Sequence, residues 1–132
     1  DYLVQTAKIL VDKHGGQVPN NLEALMALPG LGTYSTRAIL CLGFGVPVPM
    51  IDEGSGRVLR RVLRIAHRGA AHSDFHLLKT AEAILPKTSG RAFNLGLIDI
   101  ASAYCHAGLP ICPQCPLASV CTYAQHNMKR QQ

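Results

Sequence analysis

Apolar residues recur along the chain at three- and four-residue steps, and no stretch alternates in the two-residue rhythm of a strand. From Asp1 to His14 the repeat is Leu3, Ala7, Leu10 and Val11, and Gly15-Gly16 is a natural C-terminal stop. Asn21 can cap a short helix that carries Leu22, Leu25, Met26 and Leu28. Pro29-Gly30-Leu31-Gly32 breaks it, and Thr33 opens a second helix with Ala38, Ile39, Leu42 and Phe44, ending at Gly45. Val46-Pro47-Val48-Pro49 predicts an extended connector, since neither proline suits a helix interior. Asp52 heads the next helix, to about His67, and Ser73 or Asp74 caps another that runs through Leu85. Arg91 to Cys105 is the last long helix, with Phe93, Leu97, Ala101 and Tyr104 spaced for one buried face.

The pattern is all-α. It divides into a helical region over 1–104, a proline-rich loop over 105–121 and a polar tail over 122–132 that is expected to fray. The first helix starts at residue 1 with no lead-in, so the chain reads as a fragment whose missing part would cover some of these apolar faces. With 132 residues there is room for one unit rather than two. No apolar run reaches the roughly 18 residues of a membrane span, and Asp1 to Lys13 has no basic leader or cleavage site. A formal charge of +5 is compatible with a polyanionic partner without demonstrating one. These features point to an intracellular, globular protein with no membrane partner.

The five cysteines change the picture. Cys41 stands alone in an apolar helix and reads as core. Cys105, Cys112, Cys115 and Cys121 follow the spacing Cys-x6-Cys-x2-Cys-x5-Cys. An odd count without a secretory leader speaks against a disulfide framework and for a metal site in a reducing compartment. Four thiolates suit zinc or an iron–sulfur cluster. A structural zinc site usually presents two Cys-x2-Cys knuckles and here there is one; the wider loops favour a 4Fe–4S cubane, whose corners lie farther apart.

Leu28-Pro29-Gly30-Leu31-Gly32-Thr33-Tyr34 joins two short helices through a glycine turn. Gly30 and Gly32 permit positive φ and leave the amides at the head of the following helix open to a phosphate oxygen. By itself the segment could be an ordinary turn. Asp52 lies 18 residues after Tyr34, and Arg57-Val58 follows it. Asp52 alone could be simply a helix cap. Arg57, Arg60, Arg61 and Arg64 share one face of the predicted helix, which is either solvated or set against DNA. Asn94 and Asp99 read as buried helix residues that hold the fold.

In this order the hairpin, Ile51-Asp52, Arg57-Val58, Phe93-Asn94 and the four cysteines resemble the helix-hairpin-helix DNA glycosylases with a C-terminal iron–sulfur loop. These are the relatives of adenine DNA glycosylase, thymine mismatch glycosylase and endonuclease III, and the resemblance covers roughly residues 20 to 121. It implies a hairpin at about 21–45, a catalytic segment at about 51–67 and a 4Fe–4S cluster on Cys105, Cys112, Cys115 and Cys121. It implies duplex DNA with a mispaired or damaged base as partner, contacted by Leu28, Gly30, Gly32, Thr33 and Arg57. It assigns catalysis to Asp52, with Tyr34 lining the base pocket. Strand-cleaving relatives carry a lysine nucleophile where this chain has Tyr34, so a monofunctional glycosylase of base excision repair is implied.

Two departures accompany the resemblance. Gly54 stands where relatives usually have asparagine, and Gly54 and Gly56 lower helix propensity by about 1 kcal/mol each, which would loosen Asp52. The N-terminal part of relatives, which in adenine-specific members includes a general-acid glutamate, is expected to be missing; Glu23, Glu53 and Glu82 do not match that role. The expected substrates are adenine opposite guanine or oxidised guanine first, then thymine or uracil opposite guanine. The rival reading is a non-enzymatic DNA-binding module of hairpin and cluster.

Overall fold

The computed structural model describes residues 1–129. Its helices are α1 (Tyr2–His14), α2 (Leu22–Met26), α3 (Thr33–Ala38), α4 (Glu53–Leu63), α5 (Phe75–Ile84), α6 (Gly90–Ala103) and α7 (Thr122–Lys129). The described residues contain no strand. Four helices begin where a short acidic or amide side chain takes up a first-turn amide: Asp1 for α1, Asn21 for α2, Asp52 for α4 and Asp74 for α5. α3 continues through a π-helical turn at Ile39–Gly43 and ends at Phe44. No described helix is long and apolar enough to cross a membrane.

Two cores organise these elements. The larger holds Ile51, Val58, Leu59, Ala71, Leu77, Ala81, Leu97 and Ala101, so α4, α5 and α6 close around one centre. Each large aliphatic side chain buried there contributes roughly 1.5–3 kcal/mol. The smaller core has Leu25, Leu28 and Leu40, with Ile9, Leu10, Leu31, Ile39, Val46 and Val48 packed against it. It joins the hairpin to α1. No residue of α1 is fully buried, and Leu3 is 77% and Val11 65% exposed, so the uncovered apolar face expected from the sequence is present.

The glycines of α4 are packing devices rather than weak points. A Cβ on Gly56 would lie 2.5 Å from the Ala71 Cβ, and one on Gly54 would lie 3.1 Å from the Ala101 Cβ. Their small size lets α6 and the 3-10 turn Ala71–Ser73 close on α4 at the point where Asp52 enters it. The expected loosening is therefore corrected: close approach outweighs the propensity cost.

Three further expectations change. α4 stops at Leu63 rather than near His67, because Arg64 turns left-handed (φ 57°) and its amide closes on the Arg60 carbonyl. Asp99 is exposed, whereas Asn94 is fully buried as expected. The tail does not fray at its start. α7 docks on α4 through buried Ala124 and through the Thr122 hydroxyl, which donates to the Val62 carbonyl at 2.9 Å. Residues 130–132 of the expected tail lie outside the described residues.

Candidate active site and cysteine pocket

Asp52 reaches its place at the end of the extended connector 46–52, and the connector is held from the side by Asn94 of α6. The Asn94 amide nitrogen donates to the Val48 carbonyl at 2.9 Å and to the Cys41 sulfur at 3.3 Å; its oxygen accepts the Met50 amide at 3.1 Å. A fully buried amide with its hydrogen bonds met is a stiff support. Cys41 is thus core, as read, but also a partner in this support.

The Asp52 carboxylate is fixed by a reciprocal cap. Its Oδ1 accepts the Ser55 amide at 2.7 Å and the Ser55 hydroxyl at 2.6 Å, while the Ser55 Oγ accepts the Asp52 amide at 2.9 Å. Both Asp52 contacts fall on Oδ1; among the described residues no hydrogen bond falls on Oδ2. One oxygen anchors the side chain and the other is left unengaged. The cap and the candidate catalytic role therefore coexist in one residue. Ser55 is a positioning residue that the sequence reading passed over, although its place three residues after an N-capping aspartate is the signal for it.

Tyr34, in the first turn of α3, stands near enough to Asp52 to feel its charge. Partial burial raises the phenol's pKa above its ordinary value, and the Asp52 carboxylate raises it further. The hydroxyl therefore stays protonated. The charge of Asp52 thus reaches the phenol across 18 positions of chain, with no hydrogen bond between the two among the described residues.

The hairpin is partly as expected. Gly30 takes positive φ (81°), and a Cβ there would meet the Tyr2 Cβ at 3.0 Å, so both conformation and space demand glycine. Gly32 instead is extended at φ −95° with open space around it, which corrects the positive φ expected there. It precedes α3, which has no side-chain cap, so its first amides are available as donors. Thr33 is half-buried beside them. Leu28 is 3% exposed in the smaller core, so any contact it makes with DNA is through its backbone.

The arginines of α4 do not form one solvated face. Arg57 Nε donates to the Cys105 carbonyl at 2.7 Å. Arg60 is buried and pairs with the buried Asp74 at 2.9 Å, also donating to the Gly69 carbonyl at 2.8 Å. Arg61 donates to the carbonyls of His106 (2.7 Å) and Ala107 (3.2 Å). Sequence spacing placed these residues on one face but could not show that loops from elsewhere fold onto it. Glu53 accepts the Ala71 amide at 2.7 Å and Glu82 pairs with Arg37 at 3.2 Å, so both have structural partners.

Cys105, Cys112, Cys115 and Cys121 line one small cavity under α4, together with Val58, Tyr104 and Leu117. Burial pushes the Cys112 thiol up, and the nearby Cys121, Cys105 and Cys115 push it further while Arg61 pulls it down. Among the described residues no three His, Cys, Asp or Glu side chains converge tightly enough for a single metal ion. A separate cleft of ≈ 700 Å³ between α4 and α7 is lined by Arg57, Arg61, Arg64, His67, Tyr123 and His126, among others. Neither Asp52 nor Tyr34 lines it, and Arg57 and Arg61 are already bonded to backbone.

No protein-family model matches the sequence. The chain is 32% identical over 123 residues to the thymine/uracil-DNA glycosylase of Methanothermobacter thermautotrophicus, covering 93% of this chain and 56% of that protein. It is 37% identical over 119 residues to the adenine DNA glycosylase of Buchnera aphidicola, covering 90% of this chain and 34% of that protein. Its fold matches a solved thermostable thymine-DNA glycosylase with a TM-score of 0.82 at 32% identity, over 95% of this chain and 58% of that one. The chain resembles the helix-hairpin-helix DNA glycosylases in sequence and shares their fold. It spans little more than half the length of the thymine/uracil relative. Asp52 heads α4, and Val58, Arg61 and Val62 of the same helix line the cavity of the four cysteines.

Proposed function

We propose that this chain carries the catalytic aspartate of a monofunctional DNA glycosylase of base excision repair, which hydrolyses the N-glycosidic bond of a base flipped out of duplex DNA. The observation that supports the reading is the Asp52 carboxylate, anchored through one oxygen only, with its charge reaching the protonated Tyr34 phenol. As the base leaves, positive charge develops on the sugar, and Asp52 either stabilises it or orients water against its far face. Tyr34 lines the base pocket; lacking an amine, it forms no Schiff base. The uncapped amides after Gly32 hold a DNA phosphate, with Gly30 shaping the turn, Thr33 beside them and Leu28 contributing its backbone. Arg57 acts less by touching DNA than by tying α4 to the cysteine segment.

The four cysteines fit a 4Fe–4S cluster. They line one common cavity, as the four thiolate ligands of a single cluster would. Its role there is to fold the segment over 105–121 onto α4. Thymine or uracil opposite guanine moves ahead of adenine as the proposed substrate. The alignment runs over 123 residues with the thymine/uracil relative and 119 with the adenine one, and the solved structure that the fold matches is a thymine-DNA glycosylase.

The test is base release followed by alkali, using the full-length source protein on duplexes carrying T·G, U·G, A·G and A·oxidised-G. Release from T·G and U·G without strand cleavage before alkali is the expected result. DNA binding with no release on any of the four would favour the non-enzymatic module. Brown protein with iron and sulfide is expected; stoichiometric zinc without iron, in cells given ample iron, would overturn the cluster.

A further inference from the structure

Arg61 is bound on more sides than a surface arginine needs to be. Its Nη1 lies 3.3 Å from the Cys105 sulfur and donates at 2.7 Å to the His106 carbonyl. Its Nη2 donates to the Ala107 carbonyl at 3.2 Å, and the guanidinium lies 4.7 Å from the centre of the Tyr123 ring. Cys105 opens the cysteine segment, and Tyr123 stands two residues after Cys121, which closes it. One side chain of α4 therefore holds both ends of the segment, and among the described residues it is the charged donor placed on a cysteine sulfur.

From this geometry we infer that Arg61 is a positioning residue for the cluster, tuning its one-electron potential through the hydrogen bond to the Cys105 sulfur. The inference rests on the 4Fe–4S reading given above. A thiolate ligand shares its charge with the iron core. A guanidinium donating to that sulfur withdraws part of this charge and favours whichever cluster state is more negative. Planar and permanently charged, arginine can serve the sulfur, two carbonyls and an aromatic face at once, which lysine cannot. The partly buried site lessens screening by water, which strengthens the effect.

The experiment uses the full-length protein, purified anaerobically, with iron and sulfide counted before anything else. Voltammetry then reads the one-electron couple, the electrode supplying or taking the electron. Arg61→Met should shift the potential to a more negative value, so the cluster gives up an electron more readily and bleaches several-fold faster in air. Arg61→Lys should fall between parent and Arg61→Met, since charge remains but the fork is lost. A loaded Arg61→Met with the parental potential, whatever its melting temperature, overturns the inference and leaves Arg61 as a clamp only. Parent protein without iron and sulfide sinks the cluster reading and the inference with it. Should Arg61→Met not load, the parent itself answers. Pulsed electron paramagnetic resonance on protein with ¹⁵N-labelled arginine should show a guanidinium nitrogen coupled to the oxidised cluster, and its absence would overturn the inference.

Discussion

The two cores of this chain hold their functional residues in different ways. Around the larger core, α4 is fixed by the Asp52–Ser55 cap, by the Arg60–Asp74 ion pair and by Arg57 and Arg61 reaching the cysteine segment. Around the smaller core, the hairpin rests on three fully buried leucines, on Thr6 donating to the Pro29 carbonyl at 2.8 Å and on the contact of Gly30 with Tyr2. A carboxylate that stabilises charge must be held in one geometry, and many cross-links serve that. Backbone amides that track a phosphate need only the right local turn. The difference teaches where substitutions should damage the fold and where they should damage binding alone.

Gly56→Val should show the largest effect on stability. Its Cβ would meet the Ala71 Cβ at 2.5 Å and the Leu77 Cδ2 at 3.2 Å, both within the core, where overpacking typically costs about 1–3 kcal/mol. Chemical denaturation measures it, and a parental midpoint would mean that the larger core is softer than described.

The Arg60–Asp74 pair comes next. Hydrogen bonding from Arg60 holds the Asp74 carboxyl below the usual carboxylate range, against the opposing effect of burial. A carboxyl whose folded pKa is depressed contributes stability above its unfolded pKa, about 3.9, and loses it as pH falls through the folded value. The parent should therefore lose melting temperature below about pH 4, and Asp74→Asn should start lower at neutral pH and show a flatter acid limb. An unchanged acid limb would show that the pair is no part of what holds α4.

The hairpin sharpens the contrast. Gly30→Ala should lower both stability and DNA affinity, since it meets strain at φ 81° and the Tyr2 side chain, at roughly 1 kcal/mol or more. Gly32→Val, at φ −95° in open space, should lower stability by no more than about 1 kcal/mol, the cost of a valine in place of glycine at the N-cap of α3. It should still weaken binding on all sequences alike by covering the amides, and the parent's affinity should fall as salt rises. If Gly32→Val folds and binds like the parent, the hairpin is only a turn.

Much of this was legible before any coordinates. The helix starts at Asn21, Asp52 and Asp74 were written in capping chemistry, which is local, and so were the breaks at Gly15 and Pro29-Gly30. The pairing of Tyr34 with Asp52 came from resemblance, and the Asp52 carboxylate contributes to the raised pKa of the Tyr34 phenol. What the sequence hid was tertiary. Arg60 looked like part of an exposed basic face because its partner Asp74 lies on another element. Gly54 and Gly56 looked like defects because Ala101 and Ala71, which they admit, are distant in the chain. α7 looked like a fraying tail because its polar residues outnumber the few, Ala124 above all, that dock it.

The measurement closest to the central claim is single-turnover base release by Asp52→Asn, in full-length protein on its preferred mismatch. Asparagine keeps the shape and an oxygen for the Ser55 cap but removes the negative charge. The account predicts a rate lower by about a hundredfold or more, with DNA binding kept or tightened because a charge near phosphate is gone. Release at the parental rate would contradict it and leave Asp52 as a helix cap.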